Sequence, residues 1–161
     1  MNLILKFKNI NNYNGVPLLL ISANDTRLWD GPVQPEIILD YANTSDDILL
    51  TITHYGKNTS ADTQVIDGKI VNDKNCEIEQ VIVDGLDISE LKWQSKFVST
   101  NNEVFDKCLF LGKNGTWTIE FSLPILKWIL STRHNIKNHD PTWEEDYTNY
   151  VEACKLINKL N

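Results

Sequence analysis

Apolar side chains recur at every second position through several short stretches of this chain. Trp117, Ile119 and Phe121 fall on one side of 116–122, while Thr116, Thr118, Glu120 and Ser122 fall on the other. Ile48, Leu50 and Ile52 oppose Leu49, Thr51 and Thr53 in the same way. A period of two is that of a β-strand with one buried face. The alternation of Ile78 and Gln80 with Val81 and Val83 is less regular. About eight stretches qualify as strands: 3–9, 17–23, 35–41, 47–54, 64–71, 77–84, 91–98, and 107–111 leading into 116–122.

Turn signals punctuate these runs. Asn14-Gly15, Asp67-Gly68 and Asn114-Gly115 each separate two candidate strands, and Asp84-Gly85 follows another. Such pairs supply the positive φ of two-residue hairpins, so each predicts one. Short strands at this spacing predict a mainly β chain, an antiparallel β-sandwich or jelly roll.

The period changes near the end of the chain. A short helix is expected over 124–133, with Pro124 at its start and Ile125, Trp128 and Ile129 facing inward. The polar stretch 135–140 reads as a loop. Trp143, Tyr147, Tyr150, Val151, Cys154 and Ile157 then form one stripe of a C-terminal amphipathic helix, with a capping box at Thr142 and Glu145. The expected arrangement is one domain, with a sandwich over 1–134 and the loop and helix of 135–161 packed on it.

Composition narrows the function classes. A chain of 161 residues can bury a sizeable core without a metal or disulfides. Three widely spaced cysteines do not suggest a disulfide framework. The net charge of −7, with only Arg27 and Arg133 as arginines, argues against nucleic-acid binding, since affinity for phosphates needs clustered cations. No apolar run approaches the ~20 residues of a membrane helix, and the start of the chain does not read as a signal peptide.

Candidate chemistry is sparse. The sequence holds no nucleophile elbow, no phosphate cradle and no zinc-ligand spacing, so no catalytic residue, cofactor or resident metal is expected. The weaker alternative is a calcium site on hairpin loops, for which Asp62, Asp67 and Asp73 are the candidates. Trp117, Trp128 and Trp143 have inward-facing positions. Trp29, beside turn residues in Arg27-Leu28-Trp29-Asp30-Gly31-Pro32, is the candidate for an exposed contact, with Tyr55 and His54 as second choices.

One combination is familiar: His54-Tyr55-Gly56-Lys57, then Asp62–Asp73, Val81–Ile88 and Leu111–Trp117, ending in Pro124 and Trp128-Ile129-Leu130. Over residues 45–132 it resembles small, mostly uncharacterised β-sandwich proteins of contractile-tailed bacteriophages. The resemblance implies a non-catalytic virion or tail-associated protein, made in the host cytoplasm and acting on other virion proteins or on a second copy of itself. The alternative is a carbohydrate-binding module that recognises surface glycans, with calcium assistance or without.

Overall fold

The computed structural model describes residues 1–42 and 45–137. Two antiparallel sheets face each other across one apolar core. The first is built on β1 (Asn2–Asn12) and β7 (Lys69–Val83), with β4 (Glu36–Asp40) beyond β1 and β11 (Phe110–Leu111) beyond β7. The short strands β6 (Thr63–Ile66) and β8 (Leu86–Asp87) also pair with β7. The second sheet runs β10 (Val104–Asp106), β9 (Lys96–Ser99), β12 (Gly115–Ser122), β5 (Asp47–Tyr55), β2 (Leu18–Ala23) and β3 (Thr26–Pro32).

The core follows from the alternation. Leu3, Leu5 and Phe7 of β1 and Ile78, Val81 and Val83 of β7 meet Leu19, Ile21, Leu50, Ile52, Trp117 and Ile119 of the opposite sheet. Each such aliphatic side chain, fully buried, contributes about 1.5–3 kcal/mol. The antiparallel sandwich expected from the pattern is therefore the observed fold.

Several local expectations are corrected. Residues 69–83 form one strand of 15 residues where two were expected. Lys6 pairs with Gln80 but Phe7 pairs with Ile78, so Glu79 is a bulge that shifts the phase of the alternation. The stretch expected to be a strand over 91–98 begins as a 3₁₀ turn, Ser89–Gln94, whose Leu91 enters the core. The two Asp-Gly pairs do close two-residue hairpins, with Ile66 opposite Lys69 and Val83 opposite Leu86. The two Asn-Gly pairs do not. The strands flanking each of them lie in different sheets, so both are crossings between layers. After Asn14-Gly15 comes Pro17, which has no N–H to offer a ladder back to β1.

The edge strand β3 was not anticipated. Its turn-like residues Gly31 and Pro32 are tolerated because only one of its sides is hydrogen-bonded. The short helix α1 (Ile125–Lys137) buries Ile125 and Ile129, and Trp128 packs edge-on against Phe121 with ring centroids 6.0 Å apart. Residues 135–137 are helical rather than loop, so the helix crosses the boundary expected after 134. The C-terminal helix expected over 142–160, and with it Trp143, lies outside the described residues.

Candidate functional site

At one end of the sandwich, residues from both sheets line a cleft of about 790 Å³. One wall is the β6–β7 hairpin, with Thr63, Ile70, Asp73 and Asn75. The other is the β9–β10 edge, with Phe97, Ser99, Thr100, Asn101 and Phe105. The floor is the stretch that carries the chain from β11 to β12: Phe110, Gly112, Lys113 and Asn114.

Asn114 fixes this floor. Its side-chain carbonyl accepts from the backbone N–H of Lys57 at 2.9 Å, and its amide donates to the Lys57 carbonyl at 2.7 Å. Its own backbone carbonyl accepts from Thr100 at 2.9 Å. One residue therefore ties the end of β5 to the loop after β9. Gly115, next in sequence, is needed for a different reason from the expected turn. A Cβ there would lie 2.4 Å from the Val98 carbonyl and 2.7 Å from the Phe97 ring, so only glycine lets β12 pass β9 this closely.

Behind and beside the cleft two ion pairs interlock. The Lys57 side chain is 4% exposed, and its ammonium meets Asp73 at 2.5 Å and donates to the Gly112 carbonyl at 2.6 Å. The Lys74 ammonium meets Asp62 at 2.8 Å. Asp73 also accepts from Thr63 and Asn75. Burial pushes the Asp73 carboxyl up, but the bonds from Lys57, Thr63 and Asn75 outweigh it and hold the group below the usual carboxylate range. Asp62 is held low by the Lys74 ammonium and by the Asn58 backbone N–H. At the mouth, Lys113 pairs with Glu103 and stands 5.4 Å from the centre of the Phe105 ring. The cleft thus carries fixed charges whose partners already neutralise them.

The calcium expectation is corrected by this geometry. Asp62 and Asp73 each already hold a lysine ammonium, Lys74 at 2.8 Å and Lys57 at 2.5 Å. Asp67 stays at the hairpin tip, outside the cleft lining. Among the described residues no three acidic, histidine or cysteine side chains converge on a metal position.

The other expected site residues are scattered. Trp29 is no exposed platform: it is half-buried against the core, and its indole N–H is buried without a partner among the described residues. In β3 it pairs with Ile21, an inward position, so its ring turns toward the interior. Tyr55 lies on the outer face of the second sheet, where its hydroxyl donates to Asp30, which also pairs with Arg27. His54 is fully buried directly behind the cleft floor, and its Nδ1 is 2.8 Å from the Lys113 carbonyl. A carbonyl only accepts, so Nδ1 carries the proton and Nε2 keeps a lone pair with no partner among the described residues. Burial, and then the nearby Lys57 and Lys74 charges, push the imidazole below its usual pKa, against the raising effects of the Lys113 carbonyl and Asp73. His54 is a buried support for the floor and not a contact residue.

Sequence reasoning missed Phe105, Phe110, Asn101 and Asn114. Phe110 and Phe105 are 48% and 38% exposed, unusual for phenylalanine, but nothing in the local sequence distinguishes them from core positions. Of the expected set, only Asp73 lines the cleft.

No family model matches the sequence, and no curated protein matches it. Among solved structures, the chain is similar to a vCBM60 in complex with galactobiose. The likeness covers 74% of this chain and 97% of that one, with a TM-score of 0.47 and 11% sequence identity.

Proposed function

We propose that this β-sandwich is a non-catalytic binding module whose end cleft takes a neutral glycan. The observation that carries the reading is the composition of the cleft. Exposed rings of Phe105 and Phe110 lie beside the exposed side-chain amide of Asn101 and the hydroxyls of Thr59 and Thr100. A sugar ring has apolar C–H faces and a rim of hydroxyls, so it needs both an aromatic surface and directional polar partners. Each lysine of the cleft has its own carboxylate, Lys57 the lining Asp73 and Lys113 the neighbouring Glu103, which favours an uncharged ligand over an anionic one.

Titration calorimetry with galactobiose, xylotetraose, cellotetraose and mannotetraose, and with trigalacturonate as the charged member, tests the reading. At least one neutral member should bind, and Phe110→Ala should weaken it at least tenfold, a loss of about 1.4 kcal/mol. Binding of none of the neutral members would overturn the reading.

A second reading, contact with a protein, is favoured by one observation. The β6–β7 hairpin exposes Val65, Ile66, Ile70 and Val71, each about half-exposed or more. The resemblance to phage tail proteins makes such a partner another virion protein or a second copy. Concentration-dependent self-association, abolished by Ile70→Asp, would support it.

A further inference from the structure

We infer that Lys57 is the specificity-determining donor of the cleft, giving one N–H to a neutral oxygen of the bound sugar, a hydroxyl or ring oxygen. This rests on the glycan reading of the same site. An ammonium carries three N–H groups. Two are used, toward Asp73 and the Gly112 carbonyl, and the third has no acceptor among the described residues. The side chain is 4% exposed and belongs to the cleft lining, so only water at the bottom of the cleft reaches that third group until a ligand displaces it. A buried donor left unmade is costly, so a ligand oxygen that completes it gains more than the same bond would at a wet surface.

The surroundings also fix what kind of oxygen suits it. Asp73 already supplies the counter-charge, so a ligand carboxylate would add an unmatched negative charge beside it. The stem of Lys57 is held from both ends. Its backbone is clamped by Asn114 and its ammonium by Asp73, whose two oxygens are occupied by Lys57, Thr63 and Asn75. A donor held this rigidly selects ligands by where their oxygens lie, because it cannot swing to follow a misplaced one.

The test uses the same five saccharides, with Lys57→Arg and the charge-neutral pair Lys57→Met with Asp73→Asn. Thermal unfolding confirms that each variant folds. A third readout is the Lys57 side-chain ammonium signal in 15N-detected spectra of the wild-type protein. If the inference holds, that signal shifts on adding the neutral saccharide that binds. The double variant then loses at least tenfold in affinity, and Lys57→Arg changes the ranking of the neutral members instead of lowering all of them equally. If a neutral saccharide binds and Phe110→Ala weakens it, while the ammonium signal stays in place and the double variant binds within twofold of wild type, the inference is overturned and the glycan reading stands. If no neutral member binds the wild-type protein, the glycan reading is overturned, and the inference with it.

Discussion

Two residues behind the cleft show how single side chains set the properties of this end of the molecule. Gly115 sits in extended backbone, where any residue could adopt its torsion angles, so its role is one of space. Gly115→Ala places a methyl against the Val98 carbonyl and the Phe97 ring, and should cost roughly 1–3 kcal/mol as overpacking, read from the urea midpoint. His54 is the second. Its imidazole stays neutral in the folded protein below the pH at which it would charge in the unfolded chain, near 6.5. Below that pH the unfolded state binds more protons, so stability is complete above about 6.5 and declines as pH falls toward the lowered folded value. Asp62, Asp73 and Glu103, whose pKa values are lowered, lose their contribution only further down, beneath the usual carboxylate range. Melting temperature should therefore fall as pH drops below about 6.5, before the carboxylates titrate, and His54→Gln should flatten that part of the curve. An unchanged slope in the variant would remove His54 as its source.

At the scale of elements, the sequence was most legible where alternation was regular. β5 and β12 read directly from their patterns, and the two Asp-Gly hairpins from their turn chemistry. It was least legible where a bulge broke the phase, as at Glu79 in β7 and Leu28 in β3. Asn-Gly pairs misled for a physical reason: positive φ at a turn says that the chain reverses, not that its two arms share a sheet. The loop carboxylates were visible in the sequence as possible cation ligands. Their neutralisation was not, because Lys57 and Lys74 lie 16 and 12 residues from Asp73 and Asp62 and meet them only through the fold. This pairing predicts that a chelator leaves the melting temperature unchanged and that added calcium does not raise it. A rise of several degrees with calcium would show that a cation displaces a lysine from its aspartate, since a ligand of the folded state stabilises it by mass action.

For the molecule as a whole, the sandwich is a frame that carries a cleft at one end. Its fold class was legible because it depends on repeated pattern. The cleft was not, since it is assembled from five separate stretches of chain, around 57–63, 70–75, 97–105, 108–110 and 112–114. Its phenylalanines resemble core residues until the fold leaves Phe105 and Phe110 exposed. The most direct test is to map binding on the 15N-labelled protein by amide chemical shifts during titration with the neutral saccharides. The account predicts that the shifted amides cluster at Lys57, Asp73–Asn75, Phe97–Asn101, Phe105 and Phe110–Asn114. Shifts centred instead on the outer face around Tyr55 and Thr116, or no shifts with any neutral saccharide, would contradict it.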